Sequence, residues 1–529
     1  MLHRRDWFRV GAGAAALAMV GCKGGERPGL SPGLGAATPV APGPLDELTI
    51  ADLAARMASG AETSVSLVAK YRARIEALNA AGPNLRAVLE LDPDAPREAG
   101  KLDAERAGGT VRGPLHGIPV LVKDNLDTAG RTMTTAGSLA LVGAPAPKDA
   151  VVVAKLRAAG AVILGKTNLS EWANIRGNPS VSGWSARGGQ CKNPYALDRS
   201  PCGSSSGSGA AAAANLCAAA IGSETDGSII CPASYMALVG MKPTVGLVSQ
   251  TGIIPISASQ DTAGPMTRTV ADAALLLTAI ADGKGEDYTK HLSPDALKGA
   301  RIGVPRKGWF GVNRNADPIG EAALVQLKKL GAVLVDPIEL VTPPELGAAE
   351  LEVLLHELKA GMETYLAGRG DAKFRTLADL VAFNKEHAAE ELALFGQELF
   401  EQAVAKGPLT DKAYTEARAL CLRLAKTEGI DKAMDANRLD AIVTISFGPA
   451  GLIDPINGDS FAGPYSPTMP AVAGYPHITV PGGFSRGLPI GMSFWGRAND
   501  DGKLLGYAFA FEQATKHRKP PGFARSAPQ

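Results

Sequence analysis

Two serines framed by glycines stand 24 positions apart in this 529-residue chain. Ser204 lies in Gly203-Ser204-Ser205-Ser206-Gly207-Ser208-Gly209, and Ser228 closes Gly222-Ser223-Glu224-Thr225-Asp226-Gly227-Ser228. Upstream is Lys123, in Val122-Lys123-Asp124-Asn125. A serine hydroxyl is a weak nucleophile at neutral pH and needs a base within hydrogen-bond reach. Lysine can be that base only as the neutral amine, so its ordinary pKa of about 10.4 must be pulled down, which burial does by penalising the charged form. The apolar run Ile118-Pro119-Val120-Leu121-Val122 reads as a buried strand that delivers Lys123 to a partly dry place at its end. Glycines beside Ser228 permit tight turns in which backbone N–H groups converge on a developing oxyanion. These residue types point to hydrolysis through a nucleophilic serine.

Further blocks follow in order: Leu115-His116-Gly117-Ile118-Pro119, Gly165-Lys166-Thr167-Asn168, Met241-Lys242-Pro243-Thr244 and Asp261-Thr262-Ala263-Gly264-Pro265. Together with Lys123 and the two serine segments, this ordered set resembles the amidase signature family of serine hydrolases across residues 45–520. By position, the resemblance implies Ser228 as nucleophile, Ser204 as a bridging serine after a cis Gly203-Ser204 bond, and Lys123 as ultimate base. It places the oxyanion hole on the backbone amides of Thr225, Asp226, Gly227 and Ser228, and it implies no cofactor.

The departures from the family pattern are specific. Family members commonly carry two glycines before the bridging serine and Asp-Thr-Gly-Gly-Ser-Ile-Arg around the nucleophile; this chain has Cys202-Gly203 and Glu224-Thr225-Asp226-Gly227-Ser228-Ile229-Ile230. None removes a triad member. The Glu-Thr-Asp-Gly-Ser-Ile form, with Ser170-Glu171-Trp172-Ala173-Asn174, resembles the bacterial peptide amidase branch more than the transamidosome component that amidates charged tRNA. It implies small-molecule or peptide amides as substrates, C-terminal peptide amides or amino-acid amides among them, with Trp172 and Asn174 as pocket candidates. Three alternatives stay open: a glutamyl-tRNA amidotransferase subunit, an aryl-amide or ester hydrolase, and a non-catalytic lipid-anchored binding protein.

A Ser-His-Asp arrangement around His116 is disfavoured, because the seven histidines are scattered and none adjoins a Gly-x-Ser-x-Gly elbow. Lysine plus arginine (54) balances aspartate plus glutamate (53), so charge gives no reason to expect nucleic-acid binding. Zinc-spaced Cys/His pairs, dinucleotide fingerprints and P-loops are absent from the sequence, so no metal or nucleotide is expected.

The N-terminus carries its own signals. Arg4-Arg5-Asp6-Trp7-Phe8 resembles a twin-arginine export motif, followed by the apolar stretch Val10 to Val20. Those 11 residues are too few for a spanning helix, which needs about 20. Met19-Val20-Gly21-Cys22 approximates a lipobox, so residues 1–21 read as a signal peptide, Cys22 as the lipidated residue and 22–44 as a Gly/Pro-rich tether. The expected location is the periplasmic side, membrane-associated through lipid. Without Cys22, five cysteines remain, an odd number that leaves at least one free thiol. Cys202 and Cys231 can pair if the two serines are neighbours; buried free thiols are the expected state.

The elements that must position this chemistry read as α/β throughout residues 45–520. Val65, Val68, Tyr71, Ile75 and Leu78 recur at helical spacing after Thr63-Ser64, and Val151–Ala159 reads as a helix feeding the strand Ala161–Leu164. Ala210–Ala220 reads as a small-sided core helix, and Leu439–Ile445 and His477–Val480 as buried strands. The expectation is a large mixed β-sheet of about ten strands with helices on both faces. A charged, Ala/Leu-rich helical excursion near 345–430 is expected to help wall the substrate site.

Overall fold

Thirteen strands organise the described residues: β1 (Val88–Leu91), β2 (Pro119–Lys123), β3 (Val162–Thr167), β4 (Trp184–Ser185), β5 (Gly189–Gln190), β6 (Ala219–Glu224), β7 (Val239–Lys242), β8 (Thr262–Thr267), β9 (Arg301–Pro305), β10 (Val333–Ile338), β11 (Ala441–Ile445), β12 (His477–Ser485) and β13 (Leu488–Trp495). The computed structural model describes residues 40–282, 286–370 and 373–528. The signal segment 1–21 and Cys22 lie outside the described residues.

Eleven strands form one mixed sheet in the order β1-β3-β2-β6-β8-β7-β12-β13-β11-β9-β10, covered by helices, and β4 pairs only with β5. Strand β2 runs parallel to β3 and to β6, with Val122 opposite Ile221, whereas β6 and β8 are antiparallel. Strands β2, β3, β6, β7 and β8 are buried at every position, so their sequences are near-continuous apolar runs rather than alternating ones. Parallel neighbours end at the same edge of a sheet, and the carboxyl ends of such strands are where open α/β sheets bind ligands. Lys123 ends β2 and Glu224 ends β6, so both serve that edge.

One expected helix is corrected. Residues 210–220 do not form a single helix: the helix runs Ser206–Ala213, Asn215 takes a left-handed φ of 59°, and Ala219 already begins β6. A short run that is apolar but for one asparagine has no periodicity that separates a buried strand from a buried helix, and here the slot between β2 and β8 claims its second half. The other expected elements form within a few residues of their predicted ends, among them the helix Ser64–Ile75 and the helix Val151–Ala158.

The excursion is helical, led by the long helix Leu346–Arg369 and followed by Leu377–Glu386, Glu398–Val404 and Lys412–Cys421. Its apolar side builds a second core cluster in which Leu355, Leu358, Met362 and Phe400 pack with Leu169, Trp172, Ile254 and Ile256. The long helix is thereby fixed against two segments that border the serines.

Candidate active site

Lys123 is completely buried, and its Nζ lies 2.7 Å from Ser204 Oγ. Ser223 closes the other side of the amine, with its hydroxyl at 3.0 Å and its carbonyl at 3.2 Å. Asn125 Nδ2 in turn donates to Ser223 Oγ at 2.9 Å. Burial pulls the Lys123 ammonium down to about 7, against the opposing effect of the Asp261 and Glu224 carboxylates. At neutral pH a large share of this lysine is a free amine, which is what a base toward a hydroxyl requires.

The Gly203-Ser204 peptide bond is cis, as the family resemblance implies. Gly203 is the only residue type that fits here, because a Cβ on it would stand 2.1 Å from Ser170 Oγ and 2.8 Å from Asn174 Oδ1. Ser204 is buried, and its carbonyl accepts the Ser170 amide at 3.1 Å. The two serine segments are stitched together by the Ser205 amide, which donates to the Ser228 carbonyl at 3.1 Å. No hydrogen bond joins the Ser204 and Ser228 hydroxyls. Such contacts are often long in unliganded sites and tighten around substrate.

Ser228 follows Gly227, whose φ of 80° lies in the left-handed region that favours glycine, and a Cβ there would meet Tyr465 and Pro467. Glu224 anchors the turn beyond Ser228 by accepting the amides of Ile229 at 2.7 Å and Ile230 at 2.9 Å. Thr225, Asp226 and Ser228 line a cavity of about 350 Å³ together with Asn174, Ser180, Ser182, Ile256, Leu354, Asp459 and Tyr465. Asn174 takes the position expected of a pocket residue and donates to Ser180 Oγ at 2.8 Å. Trp172 does not: it is buried against Phe400, with ring centroids 5.6 Å apart, and supports the wall from behind. A larger cavity of about 520 Å³, beside the long helix, holds none of the triad candidates.

Two features were not read correctly or not read at all from sequence. Cys202 and Cys231 form a disulfide, correcting the free-thiol reading, while Cys191, Cys217 and Cys421 are buried free thiols. The pairing follows from the fold, which brings the two serine segments together and their neighbouring cysteines with them. Ser223 and Asn125, which grip the lysine, lie inside the motifs already noted, so a signal was present; what they touch was not. His116 is structural, with Nε2 at 2.9 Å from the Leu102 carbonyl. Among the described residues there is no group of three or more His, Cys, Asp or Glu side chains placed to hold a metal ion.

A family model described as Amidase matches residues 66–505. This chain belongs to the amidase family. The amidase is 39% identical over 497 residues to a probable amidase of Arabidopsis thaliana, covering 90% of this chain and 92% of the relative. The native peptide amidase from Stenotrophomonas maltophilia superposes on it with a TM-score of 0.87 at 52% identity, covering 91% of this chain and all of the other. A structure of the peptide amidase PAM in complex with the competitive inhibitor chymostatin gives the same TM-score and identity over 90% of this chain and 99% of the other. A glutamyl-tRNA(Gln) amidotransferase component from Symbiobacterium thermophilum is 35% identical over 441 residues, which cover 80% of this amidase and 88% of that relative.

Proposed function

We propose that this amidase hydrolyses the C-terminal carboxamide of peptides, or an amino-acid amide, through an acyl-enzyme on Ser228. The observation that carries the reading is the 2.7 Å approach of a buried, easily deprotonated Lys123 to Ser204, in a segment bonded directly to the Ser228 backbone. Ser204 gives its proton to Lys123 and takes that of Ser228. Ser228 Oγ bonds to the carbonyl carbon, and the displaced electron pair goes to oxygen, where the amides of Thr225, Asp226, Gly227 and Ser228 hold it. Collapse breaks the C–N bond, the proton returns through Ser204 to nitrogen, and ammonia leaves. Water then repeats the sequence on the ester.

The substrate class draws support from the cavity. None of its lining residues is lysine, arginine or histidine, while Asp226 and Asp459 present carboxyls to it, a surface suited to a neutral carboxamide end rather than a free C-terminal carboxylate. The 52% identity to the peptide amidase PAM, solved with the competitive inhibitor chymostatin, points the same way. The decisive experiment is a panel of peptide amides, amino-acid amides, aryl amides and esters read by product release, with fluorophosphonate labelling of Ser228. Ammonia release from peptide amides, abolished with labelling in Ser228→Ala, is expected. Labelling with turnover of esters or aryl amides alone would transfer the site to that alternative; neither labelling nor turnover would end the catalytic reading.

We also propose that the enzyme acts on the periplasmic side, held at the membrane by lipid on Cys22. Arg4-Arg5, the apolar stretch Val10 to Val20 and Cys22 support this.

A further inference from the structure

The oxyanion segment is held by more than its own turn. Thr225, the first residue beyond β6, donates its hydroxyl to Asp261 Oδ1 at 2.5 Å. The other oxygen of Asp261 accepts the amides of Ile256 at 2.8 Å and Ser257 at 2.9 Å, so one buried carboxylate joins the oxyanion segment to the loop that lines the cavity through Ile256. A second tie runs in parallel. Gln260 Nε2 donates to the Thr225 carbonyl at 3.3 Å and to Glu350 Oε1 at 2.8 Å.

Glu350 belongs to the long helix, and the same helix grips the loop again two turns further along. Glu357 Oε2 accepts the Ser257 hydroxyl at 2.6 Å and the Ser259 amide at 2.9 Å, and Glu357 Oε1 accepts the Tyr414 hydroxyl at 2.7 Å. Leu354 sits between these two glutamates at helical spacing and lines the substrate cavity. One helix face therefore meets substrate and supports the loop that supports the oxyanion amides.

We propose that Thr225 and Asp261 are positioning residues for the oxyanion hole, and that the Gln260–Glu350 bridge ties the long helix of the excursion to the same task. The inference rests on the acyl-enzyme reading above. Its physical basis is the sensitivity of preorganised donors to displacement: removing one oxyanion donor costs about 10²–10³ in kcat, and a misplacement of about 1 Å can cost about 10²-fold. A group that only orients those donors acts on the transition state and leaves ground-state binding nearly unchanged.

The test uses the full-length enzyme with Thr225→Val, which keeps the side-chain shape and deletes the donor, Thr225→Ser, which restores it, and Gln260→Ala, which cuts the second tie. Thr225→Val is expected to lower kcat on a peptide amide by about 10–100-fold with KM within about threefold. A peptide aldehyde, whose adduct on Ser228 carries the same oxyanion, should bind more weakly by the factor lost from kcat. An unreactive peptide analogue should bind as before. Thr225→Ser should return kcat to within about threefold of wild type, and Gln260→Ala should show a smaller loss of the same kind. Should Thr225→Val fail to fold by denaturation midpoint, Gln260→Ala carries the same readouts, and wild-type kcat in it overturns the role. Wild-type kcat in Thr225→Val, or equal weakening of aldehyde and unreactive analogue, would overturn the positioning role while leaving amide hydrolysis intact. A wild-type enzyme that releases no ammonia from any amide would overturn both.

Discussion

Cys202 and Cys231 are joined by a disulfide with their Cα atoms 5.9 Å apart, and each lies within three residues of a serine of the proposed relay. Cys202 precedes the cis Gly203-Ser204 bond, and Cys231 sits in the helix Ile230–Tyr235 that follows Ser228. The link therefore clamps the two segments whose hydroxyls exchange a proton in the proposed relay. With a sequence separation of 29, chain-entropy reasoning assigns it about 3–4 kcal/mol of stability. Replacing both cysteines by alanine should lower the unfolding free energy by about that amount, measured by urea denaturation, and should reduce ammonia release from peptide amides. An unchanged midpoint would show that the surrounding packing holds the serines without it.

Lys123 sets the expected pH dependence. In the proposed relay its working form is the neutral amine, and burial holds its pKa down to about 7, so activity is expected to fall as pH drops through that value and to rise as pH climbs through it. The kcat/KM profile should rise about tenfold per pH unit on the acid side and flatten above the inflection. Lys123→Ala should be severely impaired at pH 7, lack the inflection, and recover in part at alkaline pH as hydroxide replaces the base. Full neutral activity in that variant would remove lysine from the mechanism.

The Asp459 carboxyl on the cavity wall predicts a charge preference, while burial pushes the Asp226 carboxyl well above its ordinary value toward the neutral form. Asp459 is held facing Ser182, accepting its amide at 3.0 Å and its hydroxyl at 2.7 Å, and Thr468 donates to Asp226 Oδ2 at 2.8 Å. Peptide amides ending in arginine should be hydrolysed about tenfold better than those ending in glutamate, the scale of a single partly screened charge contact. Asp459→Asn should narrow the ratio, and so should raised salt. A ratio that ignores both would place the acyl side chain away from this wall.

Export and anchoring make a separate prediction. Cell fractionation should recover the mature protein on the periplasmic side in the membrane fraction, and Cys22→Ser should abolish incorporation of labelled fatty acid. A single acyl chain binds membranes only marginally, so stable retention requires the multiple chains of a lipoprotein. Wild-type protein found in the cytoplasm with residues 1–21 attached would return weight to the tRNA amidotransferase alternative.

The amidase family was legible in the sequence, and Lys123, Ser204 and Ser228 stood out as candidates, because such demands are local. A base at the end of an apolar strand, glycines where backbone must turn or be approached closely, and a fixed order of blocks are legible one segment at a time. The α/β character and the helical nature of residues 345–430 were legible too, since periodicity and composition act over short windows. Tertiary structure alone decided what depends on distant segments meeting. The run 210–220, apolar but for Asn215, became part helix and part strand because β2 and β8 offered it a place in the sheet. Trp172 turned inward because Phe400, from the excursion, packs against it. The disulfide, the Asp261 tie to Thr225 and the reach of Glu350 to Gln260 all join residues from separate elements. Such contacts leave no local pattern, because the hydrogen bonds and packing that select them exist only once the chain has closed on itself.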